Sequence, residues 1–156
     1  MQTPLPVVSI ERCGLFDDLP NATLDRVRAI VVEQRYLEGE TIFHEGDDAD
    51  ALYILASGRV ELSYTLPNDA SVSLPITRVS PGDLFAWSAA VGGKQLTAKA
   101  HSASESLVYS IPADSFEEIC DADPATGLRL MRRLAELART RLLDTRTQLR
   151  WLQSSS

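Results

Sequence analysis

The chain has 156 residues, 44% of them hydrophobic and 24% charged, with a formal net charge of −7. That balance suits one folded domain with a single buried core, and it excludes disordered, collagen-like and fibrous chains. No apolar run approaches the roughly 20 residues a bilayer requires, and "MQTPLPVVSIERCGLF" lacks the basic segment and compact apolar core of an export signal, so a cytoplasmic setting is expected.

In chain order, "LFDDLPNATLDRVRAIVVEQRY" opens on turn-formers and continues with Leu24, Val27, Ile30 and Val31 on one helical face. This spacing predicts a short helix capped by Asn21 and ending by Gln34 or Tyr36. From Leu37 to Pro112 the period changes. "TIFHEGD", "ALYILASGRVELSYTL" and "VSLPITRVSPGDLF" are strand-like runs separated by Gly39, Gly46, Gly58 and Gly82, each in a context that closes a tight corner. "LPNDAS", residues 66 to 71, is the expected hairpin tip, and "SLVYSIP" the last strand. Regular short strands with glycine corners imply an antiparallel barrel or sandwich.

Helical signals return in "ADSFEEICDADPATG", where Asp114 or Ser115 is placed to cap and Pro124 to punctuate. Gly127 to Gln153 then reads as one helix of roughly 26 residues, about 40 Å long at 1.5 Å per residue. Its first half carries Leu130, Leu134 and Leu137, a stripe suited to packing on the sheets. A second stripe, Leu128, Met131, Ala135, Ala138, Leu142, Thr145, Leu149 and Leu152, alternates steps of three and four like a heptad seam. Its far half reaches past the expected domain body, so a parallel homodimer through this helix is predicted. The alternative is a different partner protein on the same seam. The domain-like unit therefore spans 1–126, with 127–153 as its terminal helix and dimer seam and 154–156 as a tail.

Seven arginines follow Gly127, against Glu136 and Asp144, on an otherwise acidic chain. A basic tail raises the question of nucleic acid, but arginine is also a good helix former, and these residues read as decoration of solvent faces. Cys13 and Cys120 have no metal-ligand spacing and read as buried thiols. His44 and His101 stand apart from other ligating residues and are expected at the surface or at strand edges.

The order of these pieces resembles the cyclic nucleotide-binding domain of the catabolite-activator (Crp/Fnr) superfamily. The resemblance rests on "LFDDLP", "GETIFHEGDDADALYILASGRVEL" and "VSPGDLF", and covers about Ile10 to Gln153. It implies an α+β fold: an antiparallel β-roll of the jelly-roll type with a short N-terminal helix, a cassette helix and a long C-terminal dimerisation helix. It also implies a phosphate-binding cassette after "PGD-x-F", in which unpaired helix amides face an anion. Members that bind cyclic AMP continue with glycine, glutamate and leucine, and an arginine follows some eight or nine residues later.

Here the glycine position falls on Ala86, the glutamate on Trp87 and the leucine on Ser88, while the arginine falls on Gln95 or Leu96 beside Lys94. Both charged anchors are absent from these positions. Hydrogen bonds to charged groups contribute about 1.5 to 3 kcal/mol each, so the resemblance implies a regulatory domain that does not hold cyclic AMP in the ordinary way. Three readings follow. Lys94 substitutes as cation with Ser88 or Thr97 donating to a nucleotide; Trp87 serves as a stacking platform for another small effector; or Trp87 fills the hollow and the domain is a ligand-independent dimerisation or adaptor module, including one that sequesters a full-length relative.

No helix-turn-helix pattern follows the long helix, so sequence-specific DNA binding is not expected. The serine-hydrolase elbow, zincin and phosphate-loop motifs are also missing from the sequence, as is any metal-ligand spacing. No enzyme activity, metal or firm cofactor is expected.

Overall fold

A computed structural model describes residues 7–66 and 68–154. A short 3-10 turn, Ile10–Arg12, precedes helix α1, Asn21–Ile30. Eight strands follow: β1 Val32–Tyr36, β2 Thr41–Phe43, β3 Ala51–Ser57, β4 Val60–Leu66, β5 Asp69–Val79, β6 Leu84–Phe85, β7 Lys99–Ser102 and β8 Ser106–Pro112. A second 3-10 helix, Trp87–Val91, lies between β6 and β7, and α2 (Ala113–Ala122) and α3 (Pro124–Ser154) close the order. The strands form two antiparallel four-stranded sheets, β1-β8-β3-β6 and β2-β7-β4-β5, which is the jelly-roll architecture implied by the family resemblance.

Side-chain alternation explains the layering, because neighbouring residues of a strand face opposite sides of its sheet. Leu52, Ile54, Ala56, Leu107, Tyr109 and Ile111 join a core shared with the helices, while Leu55, Val108 and Phe85 join a second core facing Val60, Leu62, Val79 and Ala100. The central strands β3 and β8 of the first sheet are therefore covered on both faces, while β1 at its edge stays exposed. Phe43, Tyr53 and Phe85 meet in the second core at ring separations of 5.4 to 6.1 Å.

Gly39, Gly46, Gly58 and Gly82 all have positive φ. Gly58 is the most constrained: φ is +95°, and a Cβ would lie 2.5 Å from Ser106 Oγ. Ser106 locks that corner, accepting from Arg59 N at 3.2 Å and donating to Arg59 O at 3.1 Å. The hairpin tip falls between β4 and β5 as expected, with Pro67 outside the described residues. β5 lies at an edge, where Pro75 removes no donor needed by a second neighbour; the register shifts between Leu62 and Ser63 opposite it.

Several sequence expectations are corrected. α1 ends at Ile30, with Val31 N donating to Val27 O, and residues 32–36 instead pair with Ser106–Ser110 of β8. Its N-cap is Pro20, so Asn21 is the first helical residue. Neither Asp114 nor Ser115 caps α2, which begins directly at Ala113 behind Pro112. α3 begins at Pro124, where proline's missing donor costs nothing. Asp123 accepts from Thr126 Oγ1 at 2.7 Å, and this hydrogen bond holds its carboxyl below the usual range. His44 is exposed, but His101 sits on β7 between β2 and β4, its Nε2 3.3 Å from Glu61 Oε2. Cys13 is buried; Cys120 is half-buried.

Leu130 and Leu134 of α3 are buried in the helix-side core, with Leu137 packed against it. The arginines of α3 are not all solvent decoration. Arg129 Nη2 donates to Asp18 O at 2.6 Å, and Arg133 Nη1 to Leu15 O at 3.1 Å, tying the helix to the N-terminal segment.

Candidate functional site

A cavity of about 180 Å³ lies where the second sheet meets the β6 segment. Phe43 of β2, Leu62 of β4 and Leu96 supply apolar walls, and Thr77 of β5 and Thr97 add hydroxyls. Ala86, Trp87 and Ser88 form another wall. Their position follows from the "PGD" corner: Gly82 N donates to Leu55 O at 2.7 Å and Leu55 N to Asp83 O at 3.1 Å, which delivers Leu84 and Phe85 onto β3 and the next residues to the cavity.

Ala86 adopts φ 60°, ψ 38°, a left-handed conformation in which its Cβ is strained and glycine would be at ease. The expected cassette helix is a 3-10 helix of five residues, Trp87–Val91, closed by Gly92 at φ 85° and by Gly93 N donating to Ser88 O at 2.8 Å. Trp87 is half-buried. It packs on the helix-side core while also lining the cavity, so its ring is wall and wedge together.

Of the residues singled out from the sequence, Ala86, Trp87, Ser88, Leu96 and Thr97 meet at this cavity, whereas Lys94 and Gln95 are exposed and do not line it. The backbone explains the difference. Lys94 O accepts from Ala49 N at 3.0 Å, Gln95 bridges Asp48, Leu96 N donates to Asp47 O at 2.7 Å, and Leu96 O accepts from Gly46 N at 2.8 Å. This strap pairs residues 94–96 with the β2–β3 loop and turns Leu96 inward.

Among the described residues, the one charged side chain lining the cavity is Arg141 of α3, absent from the sequence expectations. Its Nη2 donates to Leu84 O over 3.4 Å, and its buried Nη1 has no hydrogen-bond partner among the described residues. Burial lowers the guanidinium's pKa from its usual value, opposed by the charges of Asp83 and Asp144. A signal for it did exist in the sequence. Leu130, Leu134, Leu137 and Arg141 continue one stripe at steps of four, three and four, so the face that buries leucines brings this arginine inward.

The predicted seam is split by burial. Leu128, Met131, Leu142, Leu149 and Leu152 are exposed, as is Ala135, while Ala138 and Thr145 are half-exposed, Thr145 donating to Arg141 O at 2.9 Å. Among the described residues no cluster of His, Cys, Asp and Glu is arranged to hold a metal ion, and no helix is long and apolar enough to cross a membrane.

The corners, two-sheet roll and terminal helix define a regulatory-domain architecture, and comparison with known proteins makes the class specific. The family model "Cyclic nucleotide-binding domain" matches residues 33–123, and the chain belongs to that family. A structure titled as a putative cyclic nucleotide-binding protein from Geobacter metallireducens superposes with a TM-score of 0.72 at 28% identity, covering 86% of this chain and 98% of that one. The CRP-like cAMP-activated global transcriptional regulator of Mycobacterium tuberculosis is 25% identical over 130 residues, 83% of this chain and 57% of the regulator. An uncharacterized NTE family protein of the same organism is 25% identical over 132 residues, 84% of this chain. The chain thus spans about a fifth (21%) of that relative's length, and little more than half of the regulator's.

Proposed function

We propose that the chain acts as a sensor: a cyclic nucleotide-binding-like domain whose cavity takes a small effector without the glutamate and arginine of the cyclic AMP cassette. The observation that carries this reading is the cavity itself, walled by the cassette positions Ala86, Trp87 and Ser88, none of which is ionisable. Loss of two charge-assisted contacts weakens ordinary cyclic AMP recognition by a hundredfold or more. The regulator of Mycobacterium tuberculosis is cAMP-activated by name; this chain keeps the domain and departs from the cassette implied by the resemblance. No catalysis is assigned to the domain, and its free thiols suit a reducing compartment such as the cytoplasm.

The test is a thermal-stability titration with cyclic AMP, cyclic GMP and cyclic dinucleotides. An effector at a hundred times its Kd adds about 2.7 kcal/mol, and for cyclic AMP that level is reached only at millimolar concentration. Tight cyclic AMP binding at micromolar concentration overturns the altered-cassette reading. Exposed Leu142, Leu149 and Leu152 favour a second element: a homodimer through α3, or in its absence a heterologous partner on the same face. In that form the domain works as a dimerisation module whether or not the cavity is filled.

A further inference from the structure

Resting on the sensor reading, we propose that Arg141 is the cation of this cavity: it binds a singly charged anionic group on an otherwise apolar, ring-containing effector, and it does so from α3 rather than from the cassette. Three observations converge on it. Arg141 is the charged member of the lining, facing walls of Phe43, Leu62 and Leu96. Its Nη1 is buried yet makes no hydrogen bond among the described residues, a donor left open where such groups are normally paired. Its remaining guanidinium contact, to Leu84 O at 3.4 Å, is long, so the group is held at the cavity without being consumed there.

The surrounding chemistry defines the ligand class. One guanidinium matches one carboxylate or one cyclic phosphodiester, since a planar fork pairs two oxygens at once. Thr77, Ser88 and Thr97 offer neutral hydroxyls for a few further hydrogen bonds, and the rest of the wall is hydrocarbon or indole. Asp83 and Asp144 line a neighbouring hollow on which Arg141 and Trp87 also border, and neither carboxylate forms an ion pair with Arg141. They partly offset its charge and disfavour a multiply charged anion.

The placement also explains how occupancy would be transmitted. Arg141 lies between the buried stripe ending at Leu137 and exposed Leu142, so an anion engaging it grips α3 where the helix leaves the domain body. A ligand that prefers one placement of this helix shifts its population by that difference in affinity.

The test compares charged probes with uncharged counterparts: cyclic AMP against adenosine, and indole-3-acetate against indole-3-acetamide. Affinity is followed by calorimetry, stability by thermal melting, and α3 amides beyond residue 138 by hydrogen exchange. At least one anion is expected to bind wild type and slow exchange in α3, while its neutral counterpart binds at least tenfold more weakly. Which anion succeeds tells phosphodiester from carboxylate. Arg141→Gln should weaken that anion at least tenfold and abolish the exchange effect, with Arg141→Lys between the two. In ligand-free protein Arg141→Gln should leave Tm unchanged or raised, because an unpaired buried donor is removed. An anion that binds Arg141→Gln as well as wild type, or a neutral counterpart that binds equally, overturns the role of Arg141 and leaves the sensor reading standing. A lower Tm for ligand-free Arg141→Gln assigns the residue to structure and also overturns it. If no cyclic nucleotide or other probe binds wild type at millimolar concentration, the sensor reading falls first and this inference with it.

Discussion

The two halves of α3 are one continuous helix with opposite fates. Up to Leu137 it is part of the domain: Leu130 is fully buried and Leu134 nearly so, and Arg129 and Arg133 reach back to backbone carbonyls of the N-terminal segment. Beyond Arg141 the leucines turn outward, with Leu142, Leu149 and Leu152 at 60%, 54% and 70% exposure. Helical periodicity alone cannot separate the halves, because both present leucine at helical spacing. The difference lies in what each face meets, and it teaches that the front half is fixed by folding while the rear half is available for association.

The largest expected effect breaks the front half. Leu130→Ala removes a fully buried side chain from the helix-side core and should destabilise the protein by about 2–5 kcal/mol in denaturant melts. The corresponding change at Leu142 alone should cost the isolated subunit less than about 0.5 kcal/mol. Gly58→Ala applies the same contrast to the roll, where an added Cβ meets both an unfavourable φ and Ser106. A loss of about 1–3 kcal/mol is expected, and wild-type stability would show that the corner relaxes freely.

The rear half is broken differently. Replacing Leu142, Leu149 and Leu152 together by Gln should leave the circular dichroism of the roll intact and convert a dimer to a monomer in sedimentation velocity. Unchanged mass for the triple variant would remove the rear half from the interface.

Protonation sharpens the picture of the front-half core. Cys13, in the same cluster as Leu130, has its thiol pushed up to about 12, first by burial and then by the charge of Glu11. The folded state therefore retains this proton where the unfolded chain releases it, so stability falls as pH rises from about 9 towards 12. Cys13→Ala should flatten that alkaline slope, and Cys13 should resist alkylation at pH 8 until the protein unfolds. A modest gain is expected at the cavity: Ala86→Gly relieves the left-handed backbone and should stabilise by up to about 1 kcal/mol.

These contrasts also mark how far sequence could lead. Corners were readable because "EGE", "EGD", "SGR" and "PGD" state a backbone requirement locally, and each has its glycine at positive φ. The boundary after α1 was not, because "VEQRY" is compatible with a helix and becomes a strand only through pairing with β8, whose Ser106–Ser110 lie far onward in the chain. At the cavity, Trp87 and Ser88 were found from their place after the "PGD" corner, but Arg141 was hidden by distance along the chain. Lys94 drew attention by adjacency, and the strap to the β2–β3 loop leaves it exposed. Adjacency in sequence places the wall; the leucine stripe turns Arg141 inward, and the docking of α3 brings it to this cavity.

The proline in β5 has a consequence for the molecule's colloidal behaviour. An outer strand of eleven residues is a template onto which a foreign strand can zip, yet this one is interrupted by Pro75 and by a bulge opposite it. At the other sheet, the border formed by "VEQRY" places Glu33 and Arg35 in water. Amyloid-like stacking is thereby discouraged at both of these margins.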